Sequence, residues 1–103
     1  MASSEPVHTL VIYRPKAGTE TALEALVRKH LPTLRSLGLL GAGQSVAYRA
    51  EDKRSHAVCY VEIFDWKDGR ASDVAHQTPE VMAIWEPMGP LLENLEIRTL
   101  RPL

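Results

Sequence analysis

The 103 residues carry 12 Lys and Arg against 13 Asp and Glu, a formal net charge of −1, and a single cysteine. Nucleic acid and anionic membranes demand concentrated positive potential, and the Lys53-Arg54 pair is too short a run to supply it. No apolar stretch approaches the roughly 20 residues that span a bilayer, and the lone Cys59 excludes an internal disulfide and fits a reducing compartment, so the cytoplasm is expected.

Residues 1–6 read as a flexible polar tail, with neither the basic flank nor the apolar core of a signal peptide. Residues 7–103 read as one domain. Val7 to Arg14 (VHTLVIYR) has the β-branched and aromatic content of a strand, apolar on both parities at its middle. Pro15 to Gly18 ends it. Thr19 is placed to cap a helix, with Glu20 and Glu24 early, where carboxylates favour the dipole. Leu23, Leu26, Val27, His30, Leu31, Leu34 and Leu37 then keep a 3.6-residue spacing. Pro32 predicts a kink in that helix, and Gly38 its end.

Ser45 to Glu51 predicts a second strand, and Asp52 to Ser55 a polar hairpin connection to a third and longest strand, His56 to Trp66. Asp68 is placed to cap a short helix through Ala71, Val74 and Ala75. Thr78-Pro79-Glu80 restarts the chain as a helix bearing Val81, Trp85, Met88 and Leu92, which Pro87 and Pro90 should break into short turns. Leu95 to Leu100 alternates as a final strand.

The order β-α-β-β-α-β is the ferredoxin-like α+β pattern, an antiparallel sheet with its helices on one face. Strands that are apolar on both faces need a second cover, and another copy of the chain pairing through the open sheet face is the economical one.

The chain resembles the antibiotic biosynthesis monooxygenase-like family of dimeric α/β-barrel proteins along almost all of residues 7–100. The resemblance rests on the opening strand with Arg14-Pro15-Lys16-Ala17-Gly18, on Val61 to Lys67, and on His76-Gln77-Thr78-Pro79-Glu80. It implies a ferredoxin-like protomer, a homodimeric barrel, and a ligand cavity between sheet and helices. Some members oxidise polycyclic phenols or quinols with molecular oxygen and no bound cofactor. Others degrade haem, isomerise lactones or dechlorinate, so the fold leaves the reaction open. Haem-degrading members place an axial histidine on the last helix, where this chain has Trp85. Their earlier aromatic residue falls near Ala75, and no histidine follows His76.

His76 is the first candidate for catalysis, because imidazole titrates near neutrality and can take a proton from a phenol. Its structural alternative is to bridge the turn before Thr78. Glu62 interrupts an apolar strand, where a carboxylate needs partners. It is either a base or polar anchor in the pocket, or the ion-pair partner of an arginine such as Arg49 or Arg98. Tyr60, Glu62, Phe64 and Trp66 share one strand parity. Trp66 and Trp85, with Tyr13, Tyr48, Tyr60, Phe64 and Met88, would box a flat, hydrophobic or aromatic ligand, or simply form core, and the β3 face looks either toward the helices or toward a partner copy. His30 lies on the apolar stripe of the first helix, as a satisfied core histidine or as a cavity group. No histidine and carboxylate spacing suits a metal, and no phosphate or dinucleotide loop occurs, so neither metal nor cofactor is expected. The expected activity is a cofactor-independent monooxygenation, or related small-molecule chemistry, on an aromatic or quinol-type substrate. The competing expectation is a non-catalytic, ligand-binding or stress-associated dimer.

Overall fold

The computed structural model describes residues 4–103. Residues 1–3 of the expected tail lie outside the described residues, and residues 4–6 are exposed and carry no helix or strand. Four strands, β1 (Val7–Pro15), β2 (Val46–Glu51), β3 (Val58–Trp66) and β4 (Leu92–Thr99), form one sheet in the order β2-β3-β1-β4. Every pairing is antiparallel. Helix α1 (Glu20–Ser36) joins β1 to β2, while α2 (Ala71–His76), α3 (Pro79–Met88) and a 3-10 turn over Gly89–Leu91 lead from β3 into β4. This is the ferredoxin-like α+β arrangement the sequence predicts, with its second helix divided in two.

Strand alternation assigns the faces. Thr9, Val11 and Tyr13 of β1 and Tyr60, Glu62, Phe64 and Trp66 of β3 are buried toward the helices. Their strand neighbours Leu10, Ile12, Val61 and Ile63 lie on the opposite face and are only half-buried in the single chain. Against the buried face α1 sets Leu23, Val27, Leu31 and Leu34, and α3 sets Val81, Ile84 and Met88. Each such side chain contributes about 1.5–3 kcal/mol through lost apolar exposure.

Helix α1 ends as its glycine predicts. Gly38 adopts φ +72°, its N–H donates to Arg35 O and the N–H of Leu39 donates to Leu34 O, closing a Schellman motif. The sequence's expectations for Pro87, Thr19 and Asp68 are corrected. Helix α1 runs unbroken through Pro32 for another turn, because that proline is exposed and the carbonyl it leaves free can be solvated. Likewise α3 continues past Pro87 to Met88 before tightening into the 3-10 turn at Pro90. Nor does Thr19 cap α1 with its side chain: its hydroxyl donates to Lys16 O and Leu91 O, tying the helix start to the turn before β4. Asp68 accepts from the Arg70 N–H at 2.9 Å, so it shapes the turn ahead of α2 without capping the helix itself.

The loop after α1 fixes the end of β3. Gly41 N–H donates to Asp65 O, Lys67 N–H donates to Leu39 O, and Leu40 bridges to Trp66. A Cβ at Gly43 would lie 2.6 Å from an Asp65 carboxylate oxygen, so a larger residue there would make the Asp65 side chain shift. Trp66 is thereby held at the edge of the space between sheet and helices.

Candidate functional site

Between the buried sheet face and helices α2 and α3 lies a cavity of about 230 Å³. Aromatic and sulfur-bearing walls come from Phe64, Trp66, Trp85 and Met88, and polar atoms from Tyr13, His30 and His76. Leu95 and Ile97 of the edge strand β4 flank it and remain exposed, at 43% and 60%. Of the residues the sequence singles out, Tyr13, His30, Phe64, Trp66, His76, Trp85 and Met88 are brought together here.

Tyr48, Tyr60 and Glu62 are not. Tyr60, expected at the ligand, lies in a separate groove between α1 and β2, where its hydroxyl donates to Glu24 Oε1 and to Glu20 O. It shares a parity with Phe64 but sits four residues along β3, beyond the cavity's reach. Burial, followed by the neighbouring Glu24 carboxylate, pushes its phenol pKa up. Glu62 stands behind the cavity wall and does not line it.

Glu62 is completely buried and every buried polar side-chain atom among the described residues has a partner. The arginine pairing considered for it is corrected. Arg49 bonds Glu24 at 2.6 Å, and Arg98, opposite Leu10 on the other sheet face, bonds Glu96 at 3.2 Å. Glu62 instead accepts from Tyr13 Oη at 2.6 Å and from His30 Nδ1 at 2.9 and 3.0 Å to its two oxygens. Burial first, then the Glu62 charge and hydrogen bond, raise the Tyr13 phenol pKa well above its ordinary value. Tyr13 therefore stays a proton donor.

The fourth member of this chain is Trp85, which the sequence places at the ligand box without this bond. Trp85 Nε1 lies 2.9 Å from His30 Nε2. An indole N–H only donates, so Nε2 must hold a lone pair and the His30 proton sits on Nδ1, facing the carboxylate. The partners thus assign a neutral imidazole between a donor and an acceptor.

His76 is different. It is exposed, its Nδ1 lies 2.8 Å from Ser72 O, and its ring leans on Trp85 with centroids 4.7 Å apart. A carbonyl only accepts, so Nδ1 carries the proton and the Nε2 lone pair of the neutral ring is uncommitted. Ser72, Thr9 and Val11, which also border the cavity, carry no sequence signal that separates them from ordinary strand and helix residues. No group of three or more His, Cys, Asp or Glu able to hold a metal occurs among the described residues, and no described helix is long and apolar enough to cross a membrane.

Neither a protein-family model nor a curated protein matches the sequence. Solved structures do. PA3566 from Pseudomonas aeruginosa superposes with a TM-score of 0.74 at 23% identity, covering 97% of this chain and 96% of that one. An antibiotic biosynthesis monooxygenase gives 0.73 at 13% identity, with 94% and 98% covered. The fold is that of the antibiotic biosynthesis monooxygenase-like proteins. SnoaB, a cofactor-independent oxygenase from Streptomyces nogalater, has this monooxygenase-like fold too, with a TM-score of 0.71 at 17% identity and 96% of each chain covered. At such identities the likeness establishes the monooxygenase-like fold, while the chemistry must be argued from the cavity.

Proposed function

We propose that the protein is a cofactor-independent monooxygenase, or a related small-molecule enzyme, acting on a flat aromatic or quinol-type substrate. The observation that carries this reading is His76: its Nδ1–H is anchored on Ser72 O, and its free Nε2 stands at an apolar, aromatic-walled cavity. Transfer of a proton from a phenol or an activated C–H to Nε2 leaves the electron pair on the substrate, and such a carbanion can react with oxygen. For a methylene carbon the balance is CH2 + O2 → C=O + H2O. Phe64, Trp66, Trp85 and Met88 would hold the ring and exclude water. The solved oxygenases of the same fold support this reading by analogy.

A second reading, a non-catalytic ligand-binding protein, is favoured by a different observation. The pairing of Glu62 with Tyr13 and His30 is complete within the fold, as a purely structural carboxylate requires. Oxygen uptake with a panel of quinols and anthrones separates the two: turnover supports the enzyme, and saturable binding without uptake supports the binder.

We also infer a homodimer through the sheet face that carries Leu10, Ile12, Val61 and Ile63, whose apolar side chains lack a cover in the single chain. A cytoplasmic setting for residues 7–103 as one domain agrees with the single, unpaired Cys59.

A further inference from the structure

The buried chain Trp85–His30–Glu62–Tyr13 contains a pair whose geometry exceeds what packing needs. His30 Nδ1–H points at a carboxylate, the arrangement that orients an imidazole and stabilises its protonated form when the opposite nitrogen accepts a proton. His30 lines the cavity and its Nε2 is the nitrogen on the far side. Among the described residues, the only group bonded to that nitrogen is the Trp85 indole, which is half-buried whereas His30 and Glu62 are fully enclosed.

We propose that His30, oriented by Glu62, is a second proton acceptor of the cavity, and that Trp85 is its removable cap. This rests on the cavity being a ligand site, as proposed above, and adds to it a base distinct from His76. A hydroxylated arene entering against His30 replaces the indole N–H as the donor to Nε2. Its O–H bond then breaks, the electron pair remains on oxygen, and the proton bonds to Nε2. The imidazolium so formed keeps Nδ1–H on Glu62, which remains a carboxylate. Glu62 acts through His30 and is a positioning residue. The titratable groups facing His30 are Tyr13 from β1 and Glu62 from β3, and α2 presents His76 across the Trp85 ring. Phe64, which meets the imidazole edge-on at 6.2 Å, carries no proton. Because Trp85 touches both histidines, one movement of its ring would uncover His30 and alter the surroundings of His76.

The test uses 4-nitrophenol, whose anion absorbs in the visible, in a His76→Ala background that removes the other acceptor. Tryptophan fluorescence quenching, reported by Trp66 on the cavity wall, reads binding, and the visible band reads ionisation below the free phenol's own midpoint. Adding Trp85→Phe keeps a ring beside the site but removes the donor. The ionised fraction of bound phenol should rise about two- to tenfold, the factor that a neutral hydrogen bond of ordinary strength is worth. A further His30→Gln change should abolish the rise. Long-range 1H–15N correlations should show His30 protonated on Nδ1 in the free protein and lose that pattern in Trp85→Phe only when phenol is bound. This spectrum also keeps the proposal falsifiable if His30→Gln fails to fold. Binding with an ionised fraction indifferent to Trp85→Phe, or a His30 proton found on Nε2, overturns the role of His30 alone. Absence of quenching at saturating phenol overturns the ligand site, and the acceptor with it.

Discussion

His30 Nδ1 bridges the two carboxylate oxygens of Glu62 at 2.9 and 3.0 Å, joining the middle of α1 to the middle of β3 inside the core. An ionised group in such a place survives through its partners, and removing one partner leaves the other uncompensated. His30→Leu takes a neutral donor from the buried Glu62 carboxylate and should therefore cost about 1–3 kcal/mol in urea unfolding. The double variant His30→Leu/Glu62→Leu should cost clearly less than the sum of the single changes, since it leaves no orphaned charge. Strict additivity would contradict the coupling.

The apolar stripe of α1 makes a separate demand. Leu23 and Leu34 are fully buried against the sheet. Leu34→Ala should lower stability by about 2–5 kcal/mol, through lost transfer energy and the cavity left behind. At the end of the same helix, Gly38→Ala places a side chain at φ +72° and should cost about 1–2 kcal/mol, the left-handed penalty, although no atom lies within 4 Å to clash. Thermal or urea midpoints measure both.

Glu24 gives a pH dependence of known sign. Hydrogen bonds from Arg49, then Arg28, hold its pKa down to about 2. The folded value lies below the unfolded one, so the stabilisation is complete above the ordinary glutamate range and is lost as pH falls toward 2. The urea midpoint of wild type minus that of Glu24→Gln should narrow over that interval. A difference that does not change with pH would contradict the pairing.

The uncovered sheet face predicts self-association. Sedimentation velocity at micromolar concentration should show a dimer, and Val61→Arg, at a half-buried position of that face, should yield a folded monomer. A stable wild-type monomer would remove the proposed interface.

Much of this was legible in the chain because period and punctuation are local. The α1 stripe, its Gly38 end, the Thr78-Pro79 restart and the four strands all follow from neighbours within a few residues. Parity along β3 grouped Tyr60, Glu62, Phe64 and Trp66, but parity cannot say which side faces the helices. It also could not show that the Tyr60 end of the strand lies under the α1–β2 groove. Glu62 announced that it needed partners without naming them. The partners are 32 and 49 residues away, and choosing them over Arg49 depends on how α1 is rotated above the sheet. Trp85 read by spacing as helix core or as part of a ligand box, and only the folded chain aims its indole nitrogen at His30.

On the proposed function, His76 takes a proton from a ligand held in the cavity. The most direct measurement of that step is the oxygen-uptake rate of His76→Ala beside wild type, on a quinol or anthrone that the wild type turns over. His76 is exposed, so its loss should leave the fold intact by circular dichroism. In this variant kcat should fall about a hundredfold or more, the usual worth of a positioned base. A His76→Ala protein that turns over at the wild-type rate would contradict that proton transfer.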